Sequence, residues 1–105
     1  MERVEIIEYS AFGERTFFDV VLRGDGENIT VGGAELRTGN AAEASGNLAY
    51  TTVPEYRGKG YATAALRLLV KEAKRRGIER PTAYCLENNA ASVRVCEKAG
   101  GVKTG

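Results

Sequence analysis

The residues best suited to chemistry form a glycine-rich, basic turn at positions 57–62. The turn follows an apolar run that ends at Val53 and precedes a run with helical periodicity; its residues are Arg57, Gly58, Lys59, Gly60, Tyr61 and Ala62. The first N–H groups of a helix have no partner within the helix, and glycines let that backbone approach a ligand closely. The helix dipole adds about half a positive charge at the same place. We therefore predict an anion site made of backbone amides, suited to a pyrophosphate.

A simpler interpretation treats the same turn as an ordinary tight connection between a strand and a helix. In that case Arg57 and Lys59 are solvated surface charges. A cradle of backbone amides requires neither side chain, so direct contact of these two residues with a ligand stays open.

The bulk properties of the chain predict one domain. Its 105 residues suffice for a single modest core. No apolar run approaches the roughly 20 residues of a membrane span, and the N-terminus lacks a basic segment followed by an apolar one. We therefore expect a cytoplasmic protein that does not interact with membranes.

The charge balance argues against a nucleic-acid partner. Fifteen basic and 14 acidic residues give a net charge of only +1. Several cations do cluster in and beside the turn and the following helix, so an RNA or DNA contact is an alternative, and it would require strongly salt-dependent binding. Cys85 and Cys96 lack the spacing of metal ligands and the chain has no histidine, so we expect reduced thiols and no metal.

The N-terminal half predicts an antiparallel meander. Runs rich in β-branched and aromatic residues indicate strands at 4–9, 17–22, 29–37 and 47–53, with a turn at 23–28 and a polar connection at 39–46. Within the third strand, the pair Gly32-Gly33 predicts a bulge or a close backbone approach.

The second half predicts a helical crossover. Small and apolar residues at three- and four-residue steps indicate a helix over 61–76 that ends at Gly77; its predicted buried stripe is Ala62, Ala65, Leu66, Leu69, Val70 and Ala73. A short fifth strand at 81–86 would then lie parallel to the fourth. A last helix over 90–99, capped by Asn88 or Asn89, would place Val93, Cys96 and Ala99 along one side. The predicted fold is a mixed α/β sheet with an antiparallel meander, a crossover helix, parallel fourth and fifth strands and a short C-terminal helix.

Arg57, Gly60 and Ala62 stand in the register Arg, two residues, Gly, one residue, Ala, between a strand and a helix. A later segment carries Asn89, Ser92 and then Glu97-Lys98. Together these motifs resemble the GNAT superfamily of acyl-CoA-dependent N-acyltransferases, over roughly the second half of the chain. The resemblance implies that acetyl-CoA is the cofactor and that the reaction is direct attack of an amine on the thioester.

The resemblance also implies the binding residues. The pyrophosphate of coenzyme A would lie on the amides of residues 58–62, and the pantetheine arm would pair with the backbone near Thr52 and Val53 as an added strand. Asn89 and Ser92 match polar positions that contact the cofactor, although capping alone also explains them. The cations at 74–76 are interpreted as a charged helix end, with contact to the cofactor's 3′-phosphate as the alternative.

The catalytic side chains of many family members have no evident match. The position of a strand carboxylate that serves as base corresponds to Asn47, and the position of a tyrosine acid corresponds to Cys96, which is more simply a small buried hydrophobe. Glu35, Tyr50 and Tyr84 are substitutes, and Glu35 is otherwise expected to face solvent. The catalytic residues are therefore left unassigned. Orientation of the two substrates alone can lower the activation barrier by several kcal/mol.

The extent of the chain departs from the family as well. Residues 10–16 are too few for the helices that usually shape the acceptor pocket, and the chain ends where members continue into further strands. An exposed sheet edge is a template for pairing, so we expect either a homodimer through that edge or a truncated member.

Two functions from different classes follow. The first is an N-acetyltransferase whose acceptor is a primary amine on a small molecule, a protein N-terminus or a lysine. The alternative is a non-catalytic or truncated module that binds coenzyme A without turnover, which Asn47, Cys96 and the short N-terminal region favour.

Overall fold

The computed structural model describes residues 3–24, 26–84 and 89–101. Four antiparallel strands lie in the order β1-β2-β3-β4: β1 (Arg3–Phe12), β2 (Arg15–Arg23), β3 (Asn28–Arg37) and β4 (Leu48–Thr52). The helices are α1 (Gly39–Ser45), α2 (Tyr61–Arg75) and α3 (Ala90–Lys98), with a 3₁₀ turn over Pro54–Tyr56 before α2. The predicted antiparallel meander is confirmed. None of the described helices is long and apolar enough to cross a membrane.

Strands β1 and β2 form a direct hairpin. Phe12 pairs with Arg15, and Gly13 takes a φ of +58° in the tight turn between them. This conformation is readily available to glycine. No helix intervenes between the first two strands, as the short stretch from residue 10 to 16 predicts. In the described part of the chain, β1 and β4 are the two edges of the sheet, and the expected homodimer stays a prediction.

The core lies between α2 and one face of the sheet. Four residues of the predicted α2 stripe are buried, namely Ala65, Leu66, Leu69 and Ala73, while Ala62 and Val70 are half-buried. They pack on a sheet face whose buried members include Val31 and Leu36. Full burial of a leucine side chain contributes about 1.5–3 kcal/mol relative to exposure, so this contact orients α2 on the sheet.

Helix α1 differs from the prediction of an irregular connection over 39–46. The amides of Asn40 and Ala41 donate to the carboxylate of Glu14 at 3.0 and 3.1 Å. A carboxylate at this position satisfies N–H groups that have no partner within the helix. The capping group lies in the β1–β2 turn, far away in the sequence, so no local pattern indicates this helix.

The predicted fifth strand at 81–86 is described only up to Tyr84. Ala83 forms an isolated antiparallel bridge with Gly46, and the amides of Asn47 and Leu48 donate to the Thr82 carbonyl at 2.8 and 3.0 Å. The contact is antiparallel, whereas the sequence predicted a parallel pair. Cys85, Leu86 and the alternative cap Asn88 lie outside the described residues, and the parallel strand stays a prediction.

Helix α3 begins where the sequence predicted. The Asn89 side-chain oxygen accepts a hydrogen bond from the Ser92 amide at 3.2 Å and caps the helix. Its contact with the core is made by Val95, Cys96 and Ala99. Val93, which the sequence placed on that side instead of Val95, is half-buried outside this contact.

The glycine pair in β3 produces both features that the sequence predicted. The β2–β3 register shifts so that Val20 faces Gly32 while Val21 faces Thr30, which leaves Val31 in a bulge. A Cβ atom on Gly32 would overlap the backbone carbonyl of Thr51 in β4. The absence of a side chain at position 32 therefore allows β4 to pack closely against β3.

We expect Gly32→Ala to lower the free energy of unfolding by about 1–3 kcal/mol, because the new methyl group overlaps backbone rather than a movable side chain. Gly33→Ala is the matched control, since its Cβ would lie an ordinary 3.5 Å from the Thr51 hydroxyl. Urea denaturation of both variants measures the difference. Equal unfolding free energies of the two variants would refute the close approach of the Thr51 backbone to Gly32.

The last turn of α2 is joined to β1 by an ion-pair network. Glu72 pairs with Arg75 and with Arg76, and Arg76 donates to Glu8 of β1 at 2.8 Å. The pKa of Glu72 is lowered from 4.5 to about 2. The hydrogen bond that Arg75 donates to Glu72 is the largest cause, and the hydrogen bond from Arg76 adds to it. The negative charge of Glu72 is thus favoured in the folded protein.

Because the folded-state pKa is lowered, the stabilisation by Glu72 is fully present above the unfolded value of 4.5 and is lost as the pH falls towards 2. Glu72→Gln should therefore destabilise the protein at pH 7 by about 1 kcal/mol, a value discounted for solvent screening. Denaturation curves should show that the difference in unfolding free energy between this variant and the parent disappears between pH 5 and pH 2. Exposed Glu79, which has no ion pair with a described residue, supplies the control Glu79→Gln. A gap that does not change with pH would contradict the network.

Candidate functional site

The turn at 57–62 has the backbone that its glycines predict. Gly58 and Gly60 have φ values of +78° and +83°, in the left-handed region, and Gly60 is the N-cap of α2. An L side chain is strained in this conformation, whereas glycine is not. The two glycines are therefore required by the chain's change of direction from the 3₁₀ turn into α2.

The same backbone faces open space. A Cβ atom built on Gly58 or Gly60 would meet no atom within 4 Å. No described residue accepts a hydrogen bond from the amides of Gly58, Lys59 or Gly60. Together with the first-turn amides of α2, these N–H groups form an exposed row of donors at the positive end of the helix dipole.

The cations of the turn remain at its surface. Arg57 and Lys59 are exposed, and neither pairs with a carboxylate of a described residue. The Lys59 ammonium lies 5.9 Å from the centroid of the Tyr56 ring, within the range of a cation–π contact. Tyr56 in turn packs on Tyr61, with ring centroids 6.3 Å apart. Both positive charges thus lie beside the amide row without a neutralising partner in the described chain.

The end of β4 leads directly to this turn. The Val53 amide donates to the Val31 carbonyl of β3 at 2.8 Å. Successive residues of a strand direct their backbone groups to opposite edges, so the amide and carbonyl of Thr52 point away from β3. Thr52 therefore presents backbone groups on the outer edge of β4, next to the turn.

A cavity of about 190 Å³ lies at the other end of β4. It is lined by residues of β3, α1, β4, the segment that reaches Tyr84, and α3. Its lining consists of Arg37, Ser45, Leu48, Ala49, Tyr50, Ala83, Tyr84, Ser92 and Cys96. Strand β4 therefore joins two features, since its first residues line the cavity and its last residue precedes the amide row.

The two polar residues of the later segment have different positions. Ser92 lines the cavity, whereas Asn89 caps α3 through its side-chain oxygen. The structure thus brings Ser92 to β4, and it gives Asn89 a structural role that the sequence also offered.

Among the catalytic candidates, Tyr50, Tyr84 and Cys96 line the cavity. Asn47 is fully engaged elsewhere: its amide nitrogen donates to the Arg37 carbonyl at 3.0 Å, and its oxygen accepts from the Thr82 amide at 3.1 Å. The Asn47 side chain therefore links the end of β3 to residue 82 through hydrogen bonds.

The expectation that Glu35 faces solvent is wrong. Its side chain is only 15% exposed, and it pairs with Arg15 at 3.1 Å and with Arg37 at 3.2 Å. The only indication of the Glu35–Arg37 ion pair in the sequence is that residues of opposite charge stand two positions apart on one strand. Nothing local indicated that Arg37 and Ser45 line a cavity with α3.

The cations at the end of α2 lie far from the turn. Helix α2 has 15 residues and is therefore about 22 Å long. Arg75 and Arg76 both pair with Glu72 at its C-terminal end. This arrangement supports the interpretation as a charged helix end over contact with a phosphate held at the N-terminal end.

The chain was compared with known proteins. It matches the family described as "Acetyltransferase (GNAT) domain" over residues 2–102. The chain therefore belongs to the GNAT acetyltransferase family. No curated protein and no solved structure gives a significant match.

We expect Gly60→Asp to abolish the binding of coenzyme A, because its carboxylate would stand beside the phosphates at the amide row. Gly60→Asn is the matched control, since it has nearly the same shape, tolerates the left-handed conformation and carries no charge. Calorimetric titration with coenzyme A should show binding by the asparagine variant, weaker than the parent, and none by the aspartate variant. Equal affinities of the two variants would refute a phosphate site at this turn.

Proposed function

We propose that this protein is an N-acetyltransferase that transfers the acetyl group of acetyl-CoA to an amine. The observation that carries the proposal is the placement of an exposed amide row and a cavity at the two ends of one edge strand. This arrangement matches the chemistry of a long substrate with an anionic end and a reactive end.

The binding of acetyl-CoA would use backbone groups chiefly. Its pyrophosphate would accept hydrogen bonds from the amides of residues 58–62, with the dipole of α2 adding favourable potential. Arg57 and Lys59 would contribute positive charge at the same place. The pantetheine arm carries amides of its own, and it would pair as an added strand with the outward-facing backbone of Thr52, because the Val53 amide already donates to the Val31 carbonyl of β3.

The reacting end of the substrate would then lie in the cavity. The neutral amine attacks the thioester carbonyl carbon, a C–N bond forms and the carbonyl oxygen becomes an oxyanion. Collapse of this intermediate breaks the C–S bond; the positively charged nitrogen releases one proton to become the amide, and the leaving thiolate accepts one proton to become the thiol. Tyr50, Tyr84 and Ser92 bring hydroxyl groups to the cavity wall, and hydroxyl donors are suited to stabilising an oxyanion or protonating a thiolate. Cys96 is a poorer acid for this purpose, because its thiol has nearly the same pKa as the leaving group.

The alternative, a module that binds coenzyme A without turnover, is favoured by one observation. Asn47, the nearest match to the usual strand carboxylate, lies just before β4, and its side chain hydrogen-bonds to Thr82 and to the Arg37 carbonyl. Both functions predict binding of acetyl-CoA, and they differ in the release of thiol.

The first test is calorimetric titration with acetyl-CoA, with dephospho-CoA and ATP as controls, at low and at high salt. We expect saturable binding that prefers acetyl-CoA and persists at high salt, because backbone hydrogen bonds are less screened than surface charges. Binding that disappears with salt, and equal binding of ATP, would indicate unspecific attraction to the basic surface and would refute the acyl-CoA site.

The second test is thiol release from acetyl-CoA in the presence of primary amines, followed with a thiol-reactive dye. Acceptor-dependent release establishes the transferase. Binding of acetyl-CoA with no release above the uncatalysed rate, across small amines, peptide N-termini and lysine side chains, would establish the binding module instead.

A further inference from the structure

We propose that the acceptor is a small amine that also carries a carboxylate, as a free amino acid does, and that Arg37 binds this carboxylate. The inference rests on the proposed function, because it concerns the cavity in which the acyl group would be transferred. It is carried by the position, the fixed orientation and the uncompensated charge of Arg37.

Arg37 supplies the one formal charge that the described lining residues carry at neutral pH. Its side chain is only 16% exposed. A cation with so little contact to water interacts more strongly with an anion than a surface lysine does, because water screens the pair less. The cavity therefore selects for a group of negative charge at this wall.

The guanidinium of Arg37 is held in place before any ligand arrives. Its Nε and one terminal nitrogen donate to the two oxygens of Glu35, both at 3.2 Å, and its other terminal nitrogen donates to the Ser45 carbonyl at 3.0 Å. A guanidinium has five N–H donors, and these contacts use three. Two donors, one on each terminal nitrogen, have no acceptor among the described residues. Each can donate a charge-assisted hydrogen bond to a carboxylate oxygen.

Glu35 does not cancel the charge of Arg37. The same carboxylate also accepts from Arg15 at 3.1 Å, so one anion is shared by two cations. The cluster of Arg15, Glu35 and Arg37 has a net charge of +1. An arriving carboxylate would neutralise this excess, whereas an acceptor that bears only an ammonium group would be repelled.

The size of the cavity limits what enters it to a small molecule or a short chemical group. Its volume of about 190 Å³ is below the roughly 300 Å³ at which pockets for drug-sized ligands begin. An acceptor held at Arg37 by its carboxylate also has its amine at a short, fixed distance from that wall. An α-amino acid carries both the amine and the carboxylate that this wall requires, whereas a polyamine or an internal lysine lacks the carboxylate.

The variants Arg37→Gln and Arg15→Gln provide a matched test. Each substitution removes one of the two arginines that pair with Glu35, but only Arg37 lines the cavity. Thiol release is measured with alanine against ethylamine and with phenylalanine against phenethylamine, pairs that differ in the carboxylate alone. The parent should prefer the amino acid, and Arg37→Gln should raise KM for it by about 10–100-fold, as expected for loss of a hydrogen bond to a charged group. Arg15→Gln should raise KM only a few-fold, and Arg37→Lys should restore part of the preference.

A second measurement requires no turnover. N-acetylalanine and N-ethylacetamide, the corresponding products, are titrated into the protein and followed by NMR. We expect N-acetylalanine to bind more tightly in the parent and to lose this advantage in Arg37→Gln, while the affinity for acetyl-CoA stays close to that of the parent.

The outcomes separate the two proposals. Binding of N-acetylalanine that depends on Arg37, without binding of acetyl-CoA, would refute the transferase and keep the carboxylate site. Equal use of amines and amino acids, equal affinity for the two products, or equal effects of Arg15→Gln and Arg37→Gln, would overturn the inference about Arg37.

Discussion

The packing of α2 on the sheet is the constraint on which the rest of the structure depends. Leu69 and Ala73 are fully buried, and alanine at 65 and 73 lets the helix axis approach the strands closely. A helix held in this way has a fixed start, and that start must connect to the end of β4. The connection is short, and the backbone meets this requirement with two left-handed glycines. The exposed amide row is thus a consequence of core packing as much as of any ligand.

The elements that the sequence predicted well are those whose signals are local. Helix α2 carries its own apolar stripe and its own C-terminal glycine, and the first four strands carry β-forming runs separated by turns. Helix α1 was missed because its N-terminus is capped by Glu14 from the neighbouring hairpin. No pattern within residues 39–45 contains that information.

The same distinction applies to the candidate site. The turn at 57–62 could be predicted because one continuous segment provides all of its donors. The cavity could not be predicted, because β3, β4 and α3 each contribute to its wall and only the fold brings them together. Arg37 illustrates the difference. In the sequence it is an ordinary strand residue beside an acidic neighbour, and in the fold it carries the charge of the described cavity wall.

The attachment of the cavity's outer wall has a consequence for its motion. On one side, residue 82 is held to the sheet through Asn47 and the start of β4. On the other, Arg67 of α2 donates to the Lys98 carbonyl at the end of α3 at 2.6 Å. The wall is thus attached by these hydrogen bonds and by the packing of Val95, Cys96 and Ala99, whereas the sheet beneath it is secured by ladders of hydrogen bonds and a buried core. Segments with few such attachments open at lower free energy than the core does. Amide protons of α3 should therefore exchange with solvent faster than those of β2 and β3, and the cavity can admit a molecule while the sheet stays folded.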